Sequence, residues 1–249
     1  MTTYMWALFA REVKRFQKIW FDTVAAPIVS TVLYLAIFSV VAAGRIVAGA
    51  DYTAFVYTGL LGMMMVNSSF SNPAFALILS KNVGTIVDIQ LAPIAPWKVG
   101  IAYAMAAFTR GLFTVVIAAL ITIWFIPGIA LMHVLVFVAA MFITGLEFGM
   151  LGVIIGLLIK NFESFTLVMT FIMQPMIFLA GIFYPLSSLP APWDYLSLFN
   201  PLHHNINLIR YGMIGYADAS ALLSFAVMLS ISAILFIVMN RIAVRSLKQ

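Results

Sequence analysis

The sequence contains no cysteine, and charged residues make up only 8% of its 249 positions. The absence of cysteine excludes disulfide bonds, thiolate metal ligands and a cysteine nucleophile. Soluble proteins carry roughly 25% charged and roughly 45–50% apolar residues, whereas 64% of this chain is apolar. A water-soluble enzyme and a disordered chain are therefore both excluded. The composition instead predicts an all-α integral membrane protein with a single domain over residues 1–249.

Long apolar stretches, bounded by charged or turn residues, recur along the chain. A helix that crosses a hydrocarbon core about 30 Å thick needs roughly 20 apolar residues. Six stretches meet this length, and they lack the alternating pattern of membrane β-strands. The predicted spans cover about residues 24–43, 54–79, 99–126, 131–159, 164–184 and 219–239. The first stretch starts too far from the N-terminus and is too long for a cleaved signal peptide, so we expect a retained span.

Lysine and arginine are distributed unequally between the two sides that six spans define. Of the 13 basic residues, Arg45 and Arg210 fall on one side and Arg110 lies within the third span. The others fall on the side of both termini: Arg11, Lys14, Arg15, Lys18, Lys81, Lys98, Lys160, Arg241, Arg245 and Lys248. Because cytoplasmic loops are enriched in basic residues, both termini are predicted to be cytoplasmic. The bias accounts for the net charge of +5 without nucleic acid as a partner.

The N-terminal segment, residues 1–20, has an amphipathic pattern. Apolar residues recur on one helical face at Trp6, Phe9, Val13, Phe16 and Trp20. Cationic residues occupy the opposite flank at Arg11, Lys14, Arg15 and Lys18. This pattern predicts a helix that lies in the membrane interface. It would either only anchor the chain or also contact a cytoplasmic partner.

The connection between the second and third spans, residues 80–98, is short and unusually apolar. Thr85 and Asp88 have the spacing of a capping box, and Pro93 would end a short helix soon afterwards. A helix with apolar residues on the cytoplasmic side needs a surface to pack against. That surface is either the inner face of the bilayer or a protein partner.

Two charged residues lie inside predicted spans, Arg110 in the third and Glu147 in the fourth. Charges within a bilayer usually face the interior of the helix bundle and find partners. Since both residues lie at a similar distance from the cytoplasmic side, we hypothesise an ion pair. It would either lock the hairpin or take part in substrate passage. Glycines at 145, 149, 152 and 156 line the opposite face of the fourth helix and predict close packing there.

Polar residues next to prolines interrupt the second and fifth spans. Asn67 opens a polar run that ends at Pro73, and Gln174 precedes Pro175. Neighbouring side chains or water can satisfy the carbonyl groups that a proline frees. The two kinks are either structural or mark a water-accessible translocation path past Asn67 and Gln174.

The connection between the fifth and sixth spans, residues 185–218, is too apolar for a free loop. Asn200-Pro201 has the pattern of an N-cap followed by proline at the first helical position, and Gly212 or Gly215 could end that helix. We expect short interfacial or re-entrant helices here, on the external side.

Two motifs resemble those of permease subunits of type-2 ABC exporters. The external residues that match this family in order are Gly181, Pro185, Pro190, Asn200, Pro201 and Arg210. The residues near the positions of its cytoplasmic motif are Gly84, Thr85, Asp88, Leu91 and Pro93, with aspartate where glutamate is usual. Six spans, cytoplasmic termini and an amphipathic N-terminal helix also resemble the family, so the resemblance covers essentially the whole chain.

This resemblance implies a permease in the bacterial inner membrane that pairs with a second copy, by default an identical one, and with two cytoplasmic ATPase subunits. ATP and magnesium would bind the ATPase, and the permease would bind no cofactor or metal and catalyse no reaction. The second-to-third connection would be the coupling helix. The implied substrates are amphipathic: lipid-linked glycans, polysaccharides, lipids or hydrophobic drugs.

Two other classes of function compete with this interpretation. A membrane enzyme is disfavoured because His203-His204 and His133 lack the spacing of a His-x-x-x-His metal site. The other alternative is an ATP-independent secondary transporter or channel, which would be favoured by polar residues repeated in two related halves; none are seen. The chain contains no phosphate-binding Gly-Lys-Ser/Thr motif of its own.

Overall fold

A computed structural model of the protein describes residues 2–18, 20–41, 44–47, 49–122, 124, 126, 129 and 131–247. The helices are α1 Thr2–Lys18, α2 Trp20–Val41, α3 Tyr52–Val83, α4 Ile86–Leu91, α5 Pro96–Thr122, α6 Val134–Leu158, α7 Phe162–Val168, α8 Gln174–Phe178, α9 Trp193–Phe199, α10 Pro201–Ile214 and α11 Ala221–Leu247. A π-helical turn, Met169–Met173, joins α7 to α8, and a 3-10 turn, Leu186–Ser188, precedes α9. Two short strands, β1 Ile46–Val47 and β2 Ala50–Asp51, pair antiparallel before α3.

The predicted spans are helical over most of their length, but α5 ends at Thr122 rather than near Ile126, and α6 begins at Val134 rather than near Leu131. Among the described residues, α5, α6 and α11 are long and apolar enough to cross a membrane, and shorter apolar helices cover Val24–Val40 and Phe162–Phe178. The remaining predicted span lies in α3, whose 32 residues carry the polar run that begins at Asn67. The all-α membrane fold is therefore confirmed. Ala43, the predicted end of the first span, and Lys248 lie outside the described residues.

The helix of the fifth span ends at Phe178 rather than near Tyr184. The chain turns soon afterwards at Gly181, whose φ of +76° favours glycine. The helix of the sixth span, α11, continues past the predicted end of that span to Leu247. Its last turns follow the apolar stretch and carry Arg241 and Arg245.

The centre of the bundle is α3, which packs against α5, α6 and α10. One apolar cluster surrounds it toward α10 and includes Phe55, Leu61 and Ile206. A second cluster lies toward α4 and includes Leu8, Ile89 and Met239. We call these two ends of the molecule the α10 side and the α4 side.

The glycine stripe of α6 lies against α3 and α5. A Cβ atom on Gly149 would lie 3.0 Å from the Cα atom of Ala104, and one on Gly156 would lie 2.9 Å from the Cα atom of Ala74. These distances leave no room for a larger side chain, so the predicted packing role of the stripe is confirmed. Glu147 points away from the stripe, toward α10 and α11.

Of the short helices between α8 and α11, α10 starts and ends as the sequence predicts. The Asn200 side chain accepts a hydrogen bond from the backbone N–H of Leu202 at 3.0 Å, and Pro201 is the first residue of α10. Of the two candidate glycines, Gly215 ends the helix, with a φ of +72°. This N-cap and glycine C-cap fix α10 locally.

Candidate translocation and coupling sites

The predicted coupling residues lie together at the α4 side. Gly84 ends α3 with a φ of +84°, and α4 follows directly. Each predicted residue is exposed: Gly84, Thr85, Asp88, Leu91 and Pro93. Ala92 is extended before Pro93, as the residue before a proline prefers, so the helix ends where the sequence predicts.

The predicted capping box of α4 is wrong. Thr85 has helical backbone angles, φ −70° and ψ −5°, and its side chain makes no capping hydrogen bond. Because Thr85 already belongs to the turn, its backbone carbonyl accepts the N–H of Asp88 at 3.2 Å. This backbone bond takes the place of the one that the Thr85 hydroxyl would accept, and the Asp88 carboxylate accepts no hydrogen bond among the described residues.

The short helix α4 is anchored through Ile89 and Gln90, while Val87, Asp88 and Leu91 are exposed. Ile89 is buried in the cluster that includes Leu8, and the Gln90 amide donates to the carbonyl of Ser246 at 3.2 Å. In contrast, Val87 is 47% exposed and Leu91 is 80% exposed. The helix therefore presents apolar side chains and Asp88 on a surface fixed to α1 and α11.

Asn67 and Gln174, predicted to line a translocation path, border the same cavity. This cavity, which we call the membrane cavity, has a volume of about 300 Å³ and lies between α2, α3 and the α7–α8 segment. Its lining mixes apolar and polar side chains, including Ser30, Thr31 and Tyr34. The side-chain oxygens of Asn67 and Thr31 are buried without a hydrogen-bond partner in the described structure. The cavity can therefore accept both apolar groups and hydrogen-bond donors.

The hypothesised ion pair between Arg110 and Glu147 is wrong. The two oxygens of Glu147 accept from the Asn205 amide at 2.8 Å and from the Ser232 hydroxyl at 3.1 Å. Arg110 instead donates to the Asn72 Oδ1 atom at 3.4 Å. The two charges face different helices: Glu147 points toward α10 and α11, whereas Arg110 points toward α1 and α3.

Arg110 belongs to a cationic cluster that joins α1 to the bundle. Arg15 donates to the side-chain oxygen of Asn72 at 3.0 Å, so both guanidinium groups share this acceptor. Glu12 is only 2% exposed and forms ion pairs with Arg11 at 3.2 Å and Arg15 at 3.0 Å. The cationic flank of α1 therefore packs partly inward, while Trp6 and Trp20 are 59% and 50% exposed.

Arg210 holds together the motif residues of the α10 side. Its side chain is fully buried and forms an ion pair with Asp218 at 3.1 Å. It also donates to the carbonyl of Gly181 at 2.7 Å and to the hydroxyl of Thr58 at 3.3 Å. The guanidinium carbon lies 3.7 Å from the ring centre of Phe55. Each nitrogen of the Arg210 guanidinium group therefore has a partner within the protein, which indicates a structural role.

The other motif residues act at neighbouring turns. The Asn200 amide donates to the carbonyl of Met176 at 2.6 Å, so Asn200 ties the end of α8 to the start of α10. Pro185 precedes the 3-10 turn, where the backbone N–H of Leu186 donates to Asp218 at 3.2 Å. Pro190 accepts the backbone N–H of Trp193 at 3.0 Å. These contacts fix the short helices to the ends of the spans.

Asp218 was missed by sequence reasoning. Besides Arg210, its carboxylate accepts from the Tyr216 hydroxyl at 2.9 Å. Burial and the Asp218 carboxylate raise the pKa of Tyr216 to about 12, so the phenol remains a donor at neutral pH. The sequence did contain a clue to Asp218. A buried arginine requires a carboxylate partner, and the connection that carries Arg210 has two carboxylates, Asp194 and Asp218.

Comparison with known proteins gives the same family along most of the chain. The family model described as ABC-2 type transporter matches residues 3–214. Inner membrane transport permease YadH of Escherichia coli (strain K12) is 31% identical over 225 residues, 89% of this chain and 87% of that protein. Nodulation protein J of Rhizobium leguminosarum bv. viciae is 27% identical over 221 residues, 81% of this chain and 78% of that protein. Nodulation protein J of Sinorhizobium fredii (strain NBRC 101917 / NGR234) is 31% identical over 199 residues, 73% of this chain and 72% of that protein. The chain therefore belongs to the ABC-2 type transporter family and is a membrane-spanning permease subunit of an ABC transporter.

Proposed function

We propose that this permease exports an amphipathic substrate across the bacterial inner membrane, driven by ATP hydrolysis on partner subunits. The observation that carries the proposal is the membrane cavity between α2, α3 and the α7–α8 segment. Its unpartnered oxygens on Asn67 and Thr31 lie among apolar side chains, which suits a molecule with both polar and apolar parts. The substrate class is a lipid-linked glycan, polysaccharide, lipid or hydrophobic drug.

The working unit in this proposal is two identical permeases with two cytoplasmic ATPase subunits. Gln174 is exposed between Phe171 and Phe178, which are 72% and 54% exposed. A polar side chain that faces lipid is costly, and such residues usually face protein or a water-filled cavity. A second copy packed on this surface would enclose both membrane cavities in one path, and closed two-fold pairs are the commonest oligomers.

The ATPase subunits would dock at the α4 side, which we expect to be cytoplasmic because most of the basic residues are predicted to lie on that side. The exposed Asp88 and Leu91 would contact the ATPase, and Ile89 would transmit its movement to α1 and the spans. ATP and magnesium would bind only to the partner. Arg210 and the short helices of the α10 side would form the external end of the path.

Purification of the chain from its native membrane in mild detergent tests this proposal. We expect an ATPase with a phosphate-binding Gly-x-x-x-x-Gly-Lys-Ser/Thr loop to co-purify in equal copies. Vesicles reconstituted with both subunits should then transport an amphipathic compound only when ATP is present. A chain that purifies alone, under conditions that preserve other ABC transporters, would contradict the proposal and favour ATP-independent transport.

A further inference from the structure

A second, larger cavity opens between α1 and the bundle at the α4 side. This cavity, which we call the cationic cleft, has a volume of about 560 Å³. Its lining comes from α1, from the end of α3, from Tyr103 on α5, from Thr85 at the start of α4 and from Asp88 within α4. It shares no lining residue with the membrane cavity.

One wall of the cationic cleft carries most of its charge. Four basic side chains of α1 line this wall: Arg11, Lys14, Arg15 and Lys18. Two carboxylates, Glu12 and Asp88, also line the cleft, and Glu12 is already neutralised by Arg11 and Arg15. Neither Lys14 nor Lys18 has an ion-pair partner among the described residues. The cleft therefore has an excess of positive charge.

The partly buried Arg110, next to the cleft residue Arg15, adds to this excess of positive charge. Arg110 lies next to Arg15 through their shared acceptor Asn72. The Nε atom of Arg110 is buried and has no hydrogen-bond partner in the described structure, and no described carboxylate forms an ion pair with Arg110. A cationic group without a counter-charge in a region of low dielectric attracts anions more strongly than one in water.

The wall opposite α1 is apolar apart from Ser80. It is formed by α3 through Ala76, Leu79 and Val83, and the last two side chains are 40% and 66% exposed. The cleft thus places basic groups beside an apolar surface at the level of an interfacial helix. Basic side chains at this level attract anionic lipids, and the α3 wall can accept the start of an acyl chain.

We infer that the cationic cleft binds the phosphate headgroup of an anionic lipid in the cytoplasmic leaflet. Lys14 and Lys18, with the exposed part of Arg11, bind the phosphate, and the α3 wall contacts the chain that follows it. Because Thr85 and Asp88 line the same cleft, a bound headgroup also lies against the coupling segment. The inference rests on the proposed cytoplasmic placement of α1, and it adds a lipid site that the export proposal does not require.

Calorimetric titration of the purified full chain, in neutral detergent, tests the inference. The probes are short-chain phosphatidylglycerol, short-chain phosphatidylcholine and inorganic phosphate. The variant K14Q/K18Q removes two exposed charges, and R241Q/R245Q is the matched control, because it removes two exposed charges of α11 outside the cleft. Each basic residue near an anionic lipid contributes roughly a fivefold change in affinity, so K14Q/K18Q should weaken phosphatidylglycerol binding about tenfold to thirtyfold.

The outcomes distinguish a lipid headgroup in the cleft from a soluble phosphate compound and from general attraction by surface charge. Preferred binding of phosphatidylglycerol, weakened by K14Q/K18Q and unchanged by R241Q/R245Q, is the expected result. Equal weakening by both variants would show attraction by surface charge in general and overturn the site. Equal binding of inorganic phosphate would overturn the lipid assignment in favour of a soluble phosphate compound. The titration needs no ATPase. A negative titration would therefore not contradict the export proposal, and failure to find a partner ATPase would not contradict lipid binding in the cleft.

The position of Leu79 supplies a second variant. Replacing Leu79 with serine shortens the apolar wall without changing charge. We expect weaker binding of phosphatidylglycerol and unchanged binding of inorganic phosphate, however weak. If L79S binds phosphatidylglycerol as tightly as the unchanged protein while K14Q/K18Q binds it more weakly, the site contacts the headgroup alone. That result would overturn the role of the α3 wall.

Discussion

The Arg210 guanidinium and the Asp218 carboxylate form a 3.1 Å ion pair whose side chains are 0% and 2% exposed. The pair joins α10 to the segment before α11, and through Gly181 and Leu186 it also holds the turn after α8. A buried pair gains little over an apolar replacement, but loss of one partner leaves an uncompensated charge. The pair therefore sets the position of the α10 side rather than contacting a substrate.

Replacing Asp218 with asparagine should destabilise the protein strongly. The substitution keeps the size of the side chain but leaves Arg210 buried without a counter-charge, which costs about 3–5 kcal/mol. Thermal unfolding in detergent measures the effect. D194N is the control, since Asp194 forms no ion pair among the described residues; equal losses in both variants would contradict the role of the pair.

Replacing Asp88 with lysine should uncouple transport from ATP hydrolysis. Asp88 is exposed and its carboxylate does not cap α4, so the fold should be retained while the contact with the ATPase is lost. Transport and hydrolysis are measured separately in vesicles that contain both subunits, and we expect transport to fall while the complex still hydrolyses ATP. D194K makes the same charge change on the α10 side, and unchanged transport by D88K would contradict the coupling role.

The sequence predicts the parts of this fold that depend on local chemistry. The Asn200-Pro201 start of α10, its end at Gly215 and the glycine face of α6 follow from the backbone preferences of those residues. These features need no knowledge of how distant helices are arranged.

The partners of buried charges depend on that arrangement and could not be predicted. Arg110 and Glu147 lie on the neighbouring helices α5 and α6, but the rotation of these helices about their axes directs the two side chains to different neighbours. Their partners, the acceptor Asn72 and the donor Asn205, are neutral, so no charge pattern identifies them. The inward packing of Arg15 was also missed, because amphipathicity alone directs the basic flank of α1 toward water.

Replacing Asn67 with leucine should lower transport without destabilising the fold. The Asn67 oxygen is buried without a partner, and leaving such an acceptor unsatisfied costs roughly 1–3 kcal/mol. Leucine removes this cost but also removes a polar group from the membrane cavity. We expect an unchanged or raised unfolding temperature and slower transport of polar substrates, and a loss of both stability and transport would indicate a structural role instead.

A pair of double-mutant cycles can verify the partners of Glu147. Alanine substitutions at Glu147 and Asn205 should show a coupling energy of roughly 0.5–3 kcal/mol, because residues in one hydrogen-bond network are not additive. Substitutions at Glu147 and Arg110 should add to within roughly 0.3–0.5 kcal/mol, as expected for sites without shared partners. Both cycles are measured as free energies of unfolding in detergent.

The two cycles discriminate between the geometry described above and an ion pair across the α5–α6 hairpin. They share the Glu147 variant, so any general cost of losing this carboxyl group cancels between them. A larger coupling with Arg110 than with Asn205 would mean that α6 is rotated toward α5 in the membrane, and it would restore the ion pair. Coupling with Asn205 alone instead connects Glu147 to α10, the helix that also carries Arg210, so a movement of α6 would reach the α10 side through this contact.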